Sequence, residues 1–141
     1  MMVARTMEAT QVGDTFGPVA VPVDRQTLVA YANASGDQNP IHQDEAFAVK
    51  VGLPNIIAHG MWTMGASVSV LSDWVGDAGK IRSLGTRFTS MVIVPVEGAE
   101  LEVSGRVTAL DVEAGTAEIE ITTAAAGTKV LGRCRAVVAL G

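Results

Sequence analysis

The sequence is short of cysteine and of charge, and each shortage excludes a class of protein. Cys134 is the only cysteine among 141 residues, so an internal disulfide is impossible and we expect a reducing compartment, the cytoplasm. Charged residues make up 18% and the net charge is −5, which argues against a nucleic-acid partner because nucleic-acid-binding proteins carry an excess of Lys and Arg. The apolar content of 48% excludes disorder and predicts one globular domain, residues 1–141.

The chain also lacks a hydrophobic run of membrane-spanning length. Residues 51–72 contain no charged side chain, but Pro54, Asn55 and His59 interrupt the first half. The remainder is shorter than the ~20 residues that cross a bilayer as a helix. Residues 1–14 lack the apolar core of a signal peptide. We therefore expect a soluble protein with no membrane partner.

Local patterns predict helices in the first half of the chain and strands in the second. Asp24 can cap the first helix, because its carboxylate can accept from the free amides of the first turn. From residue 81 onward, apolar and polar residues alternate with the period of two that is typical of half-buried strands. The expected elements are an edge strand over 15–23, helices over 25–35 and 45–51, a helix from residue 60, and strands over 81–94, 101–109, 118–122 and 129–139.

The helix expected over residues 60–72 carries no charge on any face. A helix of this kind must be surrounded by protein. A curved antiparallel sheet with one apolar face can cover it. We therefore predict an α+β fold in which an antiparallel sheet wraps one long buried helix.

The segment YANASGDQNPIH, residues 31–42, places two ionisable side chains, Asp37 and His42, close together in sequence. On a helix they would point about 140° apart, so cooperation requires a turn, which Gly36 and Pro40 permit. A helix end followed by a polar turn explains these residues without any function. A histidine beside a carboxylate, however, is a common pair for general acid–base catalysis near neutral pH. Asp37 would act as an acid or base, or would only orient water and the imidazole.

A second candidate is the start of the uncharged helix at His59-Gly60. The first amides of a helix have no internal partners and lie at its positive end. The Gly60 N–H could therefore donate to a carbonyl oxygen that gains negative charge. Alternatively, Gly60 only eases a tight entry into the core. We expect His59 to be a hydrogen-bonded structural histidine rather than a second catalyst.

Other motifs are incomplete. Residues 76–80 resemble a phosphate loop, but the glycine spacing is wrong and no Ser or Thr follows. Residues 65–69 lack the second glycine of a nucleophile elbow. No His, Cys or carboxylate cluster has convincing metal-ligand spacing. We therefore expect no cofactor and no metal.

The same residues carry a resemblance to a known family. The run Ser35-Gly36-Asp37-Gln-Asn39-Pro40-Ile-His42, followed by Ala-His59-Gly60-Met, resembles the hydratase 2 motif of the MaoC-like hot dog fold family. The similarity extends over essentially the whole chain, and within the family it looks closest to the B subunits of mycobacterial (3R)-hydroxyacyl-ACP dehydratases. It implies a single hot dog domain with an overhanging helix-loop segment.

The resemblance also implies an activity. It is the reversible syn addition of water to a trans-2-enoyl thioester of ACP or CoA, which gives the (3R)-hydroxyacyl thioester. Asp37 and His42 would be the catalytic pair and the Gly60 N–H the oxyanion donor. The supporting residues would be Ser35, Gly36, Asn39, Pro40 and His59.

The resemblance leaves three possible functions open, and the sequence differs from some family members at one position. The chain could act in fatty-acid-type elongation, act as a degradative enoyl-CoA hydratase, or be a non-catalytic thioester-binding partner subunit. Family members pair two hot dog units, so a homodimer or a heterodimer with a second hot dog subunit is expected. Val68 stands where some members carry a serine that faces the pocket, and Ser67 and Ser69 are expected to point elsewhere.

Overall fold

The computed structural model describes residues 3–141 and contains an antiparallel sheet packed on one long helix. Within these residues the helices are α1 (Arg25–Ser35), α2 (Glu45–Lys50) and α3 (Gly60–Val75), with 3-10 turns at Pro40–His42 and Ala78–Lys80. The strands are β1 (Thr15–Val23), β2 (Ile81–Phe88), β3 (Ala99–Asp111), β4 (Thr116–Ala125), β5 (Thr128–Lys129) and β6 (Leu131–Ala139). The strand order is β1-β3-β4-β6-β2, with β5 beside β4 and every pairing antiparallel. The predicted α+β arrangement is confirmed.

The core lies between α3 and one face of the sheet. Val70, Leu71 and Val75 of α3 are buried. Period-two alternation places the apolar residues of the strands on one face, which meets the helix. These buried sheet residues are Leu101, Val103, Val107, Ile119, Ile121, Cys134, Ala136 and Val138. Cys134 is buried in this face, and burial raises the pKa of its thiol.

The side of α3 that faces away from the sheet is exposed in the single chain. Met61, Gly65, Ser69 and Asp73 recur every four residues on this side, and Met61 is 57% exposed. The expectation that protein surrounds the helix on every side is wrong within one chain, because the sheet covers only one side. Among residues 3–141, no helix is long and apolar enough to cross a membrane.

The strand predicted over residues 81–94 is wrong in its second half. β2 ends at Phe88, and the residues after it leave the sheet. The Ala58 N–H donates to Val92 O at 2.9 Å, and the Val94 N–H donates to Ile56 O at 2.8 Å. The alternating pattern beyond Phe88 therefore reflects pairing with the segment before α3. This pairing brings the start of α3 next to the end of β2.

Ser67 joins α3 to the sheet through a buried pair of hydroxyl groups. Its Oγ donates to Thr63 O at 2.9 Å and lies 2.7 Å from Thr123 Oγ1, and both Ser67 and Thr123 are 0% exposed. The change Ser67→Ala leaves the Thr123 hydroxyl without this partner in a dry site, which should lower the free energy of unfolding by about 1–3 kcal/mol in a urea titration. Ser69→Ala is the matched control, because Ser69 is exposed and should change stability by less than about 0.5 kcal/mol. Equal losses in the two variants would contradict the role of the buried pair.

Candidate active site

A short loop after α1 carries Asp37. Gly36 follows the last residue of α1 with φ 83°, the left-handed conformation that favours glycine. Ser35 Oγ accepts from the Asp37 N–H at 3.1 Å, and Asp37 Oδ1 accepts from the Asn39 N–H at 3.2 Å. Asn39 Oδ1 accepts in turn from the Ile41 N–H at 3.2 Å. Each of these side chains accepts a hydrogen bond from the amide two residues further along the chain. The loop conformation is therefore determined by residues close together in the sequence.

His42 lies at the end of the 3-10 turn that Pro40 begins. Its Nδ1 is 2.7 Å from Ile57 O, and the side chain is nearly buried, with 7% of the residue exposed. A carbonyl oxygen only accepts, so Nδ1 carries the hydrogen and the neutral ring keeps its lone pair on Nε2. His42 therefore presents a proton acceptor in a defined tautomer.

The turn brings Asp37 and His42 together. One carboxylate oxygen of Asp37 and one ring nitrogen of each of His42 and His59 lie within 4.8 Å of one another. One water molecule, with hydrogen bonds of about 2.8 Å, can bridge such a separation. Asp37 is exposed and His42 is buried, so the pair spans the boundary between solvent and core. The arrangement can hold and polarise a water between a carboxylate and an imidazole.

His59 packs directly against this pair. Its ring stacks on the His42 ring, with the centroids 3.8 Å apart and the planes at 22°. The Tyr31 and His59 rings meet edge to face, with their centroids 4.8 Å apart. Its Nε2 donates to the Asp37 main-chain oxygen at 3.1 Å. Burial lowers the pKa of His59 and outweighs the hydrogen bond to Asp37, which acts in the opposite direction. The ring is therefore uncharged near neutral pH.

Asp37, His42 and His59 also form a cluster of the residue types that bind metal ions. The spacing along the chain gave no sign of this cluster. Each imidazole already uses one nitrogen on a main-chain oxygen. Two ring planes at 22° and 3.8 Å do not direct their lone pairs to one point at the ~2.0–2.1 Å that a zinc–nitrogen bond requires. The geometry suits proton transfer better than metal binding.

Gly60 is the first residue of α3, as predicted. His59, at the N-cap, makes no side-chain capping hydrogen bond in the described chain. The first-turn amides are therefore available to a ligand oxygen at the positive end of the helix. A Cβ at residue 60 would lie 3.1 Å from the Phe88 ring, so the absence of a side chain lets this ring lie against the helix start.

A cavity of about 460 Å³ extends from His42 to the start of α3. His42 and Gly60 both line it, together with the hydroxyl-bearing Thr63. Most of the remaining lining is apolar: Leu53, Ile57, Ala58, Phe88, Met91, Val92, Val130 and Leu131. An apolar chain with one polar reacting end therefore fits this space.

Sequence reasoning placed every predicted residue in or beside the loop and helix start, but it missed three contributors. The Ile57 oxygen sets the tautomer of His42, and a main-chain atom has no signature in the sequence. Phe88 and Thr63 line the cavity, and neither spacing nor periodicity in the sequence marks them as lining residues. Ser67 and Ser69 point away from the cavity, the first to β4 and the second to solvent, as expected.

Comparison with known proteins finds a matching family and several relatives. The profile of the family described as MaoC like domain matches residues 8–128. The chain is 41% identical over 90 residues to the fatty acid synthase beta subunit TOXC of Cochliobolus carbonum, a match that covers 57% of this chain and 4% of that protein. It is 34% identical over 86 residues to a 3-hydroxybutyryl-CoA dehydratase of Methylorubrum extorquens, with 56% and 55% covered. The chain thus spans only part of the length of these curated relatives.

Solved structures share the whole fold. A MaoC-like dehydratase superimposes with a TM-score of 0.96 at 35% identity, over 99% of this chain and 43% of that chain. The (R)-hydratase from A. caviae involved in PHA biosynthesis superimposes with a TM-score of 0.85 at 25% identity, over 95% and 99%. The family profile matches residues 8–128, which include the loop after α1, the start of α3 and most of the sheet. This chain belongs to the MaoC-like hydratase/dehydratase family, with the hot dog fold.

Proposed function

We propose that this protein catalyses the reversible hydration of a trans-2-enoyl thioester to the (3R)-hydroxyacyl thioester. One observation carries the proposal. Asp37 lies within 4.8 Å of His42, and His42 lines an apolar cavity that is also lined by Gly60, the first residue of a helix. The cavity thus combines a water site, an oxyanion donor and room for an acyl chain. The (3R) configuration rests on the family resemblance.

The chemistry follows from these groups. Asp37 and His42 hold a water, whose hydroxyl adds to C3 of the enoyl group while a proton is delivered to C2. As the C3–O bond forms, the electrons of the double bond move towards C2 and the thioester oxygen, where negative charge builds. The Gly60 N–H is the donor that stabilises this charge, the kind of interaction that typically contributes about 3–4 kcal/mol. Dehydration is the same path reversed.

The proposed role is the dehydration step of fatty-acid-type chain elongation, in the cytoplasm. The fungal relative named above is a fatty acid synthase subunit, which supports a synthetic role. The bacterial relative is named as a CoA-ester dehydratase, which supports CoA as the carrier. A hydratase that acts on CoA esters in degradation is therefore the second candidate.

We also propose that the protein works as a dimer of hot dog units. The exposed side of α3 and the exposed side chains of Phe88, Met91 and Ile93 leave apolar surface uncovered in the single chain. The matching dehydratase, of which this chain covers 43%, is long enough to contain a second unit. A homodimer and a heterodimer are both compatible with this surface. A non-catalytic partner subunit is less well supported, because such a subunit has no need of Asp37, His42 and Gly60 together.

The test is to mix the purified protein with a trans-2-enoyl-CoA and, separately, with the matching enoyl-ACP. Loss of the conjugated absorbance and formation of the (3R) product on chiral analysis are expected with at least one carrier. The mass in sedimentation equilibrium is measured on the same sample. A folded dimer that hydrates neither substrate would overturn the proposed function, whereas an inactive monomer would indicate that a second hot dog chain is required.

A further inference from the structure

His59 is a buried histidine that the reaction as described does not use. It is 2% exposed and does not line the cavity that holds His42 and Gly60. His59 thus offers almost no surface to a substrate, whereas Asp37, which also lies outside the cavity lining, is exposed. Its ring nevertheless contacts both members of the catalytic pair, through the stack on His42 and the hydrogen bond to the Asp37 main chain.

The hydrogen bond defines the state of the His59 ring. The Asp37 main-chain oxygen only accepts, so Nε2 carries the hydrogen and Nδ1 carries a lone pair. Nδ1 is buried and has no hydrogen-bond partner among residues 3–141. A buried acceptor left unpaired is unfavourable, and its retention in a fold requires an explanation. A side chain that served packing alone would not need an imidazole here.

We propose that His59 is a positioning residue for the catalytic pair: its Nε2–H anchors the Asp37 main chain, and its ring face fixes the plane of the His42 ring. This inference rests on the proposed function for its catalytic consequence. The contact to Asp37 joins residues 22 positions apart, whereas the hydrogen bonds that Ser35 and Asp37 make within the loop reach two residues. The His42 end of the loop is already tied to Ile57, and His59 is the contact that fixes the Asp37 end relative to the start of α3.

The positioning role requires an uncharged ring. The titratable groups that face His59 in the described chain are Tyr31 from α1, Asp37 from the loop and His42 from the 3-10 turn. A protonated His59 would bury an Nδ1–H without an acceptor and would place a positive charge 3.8 Å from the ring that takes up a proton in turnover. Burial, supported by the neighbouring His42, holds the pKa of His59 below its ordinary value of 6.5.

A dependence of stability on pH follows, and its sign is defined. The unfolded chain binds a proton at this site more readily than the folded chain does, so folding is weakened wherever the unfolded imidazole is protonated. The contribution of His59 to stability is fully present above pH 6.5 and declines as the pH falls below that value. A variant without a titratable group at residue 59 should lose this part of the decline.

The chain contains two histidines, which makes the state of His59 directly measurable. Imidazole ¹⁵N NMR of the unsubstituted protein should resolve two rings of opposite tautomer, Nδ1–H for His42 and Nε2–H for His59. The His59→Phe spectrum assigns the two signals. A His59 ring that carries its hydrogen on Nδ1, or that is charged at pH 7, would overturn the inference whether or not the protein has the proposed activity.

Two substitutions separate the two contacts. His59→Phe keeps a flat ring for the stack but removes the donor, and His59→Gln keeps a donor near the position of Nε2 but removes the ring face. We expect each to lower kcat by roughly 10–100-fold, because small misplacements of catalytic groups have effects of this size, and to leave KM within about twofold, because His59 offers almost no surface to the substrate. Faster amide hydrogen exchange across residues 36–42 is expected in His59→Phe. Glu113→Gln, in the exposed turn between β3 and β4, should change neither kcat nor exchange.

The outcomes distinguish this inference from the proposed function. If both folded variants keep the full kcat, or if their loss lies wholly in KM, the positioning role is wrong. If the unsubstituted protein hydrates no enoyl thioester but shows the Nε2–H tautomer and faster loop exchange in His59→Phe, the proposed reaction fails and the anchoring of the loop stands.

Discussion

Asp37→Asn and His42→Gln should each lower kcat/KM for enoyl-thioester hydration by roughly 10²–10⁴-fold while leaving the protein folded. Asn at residue 37 can still accept from the Asn39 N–H, which Asp37 Oδ1 does at 3.2 Å, so the loop keeps its shape and loses only the charge and the proton acceptor. Gln at residue 42 is similar in size and polar but cannot take up a proton. The loss therefore measures proton transfer and water orientation rather than folding.

The double variant sharpens this test. Two groups that act on one water form a unit, and removing the second costs little once the first is gone. The double variant should therefore be about as active as the weaker single variant. Glu113→Gln, which removes an exposed carboxylate in the turn between β3 and β4, is the control and should keep full activity. Full activity in Asp37→Asn and His42→Gln would refute the assignment of the catalytic pair, and multiplicative losses would indicate that the two groups act independently.

Gly60→Pro should lower kcat by roughly 10²–10³-fold relative to Gly60→Ala, because it removes the proposed oxyanion donor. Residue 60 is the first of α3, the position at which proline is best tolerated in a helix because its amide has no internal partner. The preceding residue must be extended, and His59 already has φ −60° and ψ 135°. The substitution therefore deletes one N–H with little change to the backbone.

Gly60→Ala is the matched variant, since it adds a Cβ and keeps the N–H. That Cβ would lie 3.1 Å from the Phe88 ring, which must shift by a few tenths of an ångström. Both variants meet this contact, so the difference between them isolates the donor. Comparable kcat values in the two variants, with unfolding midpoints also alike, would exclude the Gly60 N–H as the oxyanion donor.

The loop from Ser35 to His42 shows what local sequence can specify. Glycine ends α1 in the left-handed conformation, and Ser35, Asp37 and Asn39 hydrogen-bond to amides two residues along the chain. Pro40 begins the next turn. These interactions depend on residue type and short separations, so the turn that Asp37 and His42 require can be inferred from the sequence alone. The same holds for the cap at Asp24, which accepts from the Thr27 N–H at 2.7 Å.

The segment after Phe88 and the exposed side of α3 show where the sequence misleads. The alternation of apolar and polar residues beyond residue 88 predicts a continued strand, but these residues pair with the segment before α3. An alternating pattern indicates an extended segment and does not identify the segment with which it pairs. The absence of charge on residues 60–72 predicts burial on all sides. One sheet covers only one side of a helix, so the other side of α3 is exposed in the single chain.

By itself, the sequence determined the α+β class, the start of α3 at Gly60 and the turn between Asp37 and His42, because these depend on side-chain periodicity and on the preferences of near neighbours. The family was indicated by the resemblance of two motifs. Only the tertiary structure decided how the site is assembled. The carbonyl of Ile57 selects the tautomer of His42, fifteen residues away, and His59 reaches back 22 residues to the Asp37 main chain. Such contacts depend on which groups lie close together in the folded chain. No residue type in the sequence marks a main-chain acceptor or a ring stack. The residue types of the pair are therefore visible in the sequence, whereas their relative orientation is a property of the fold.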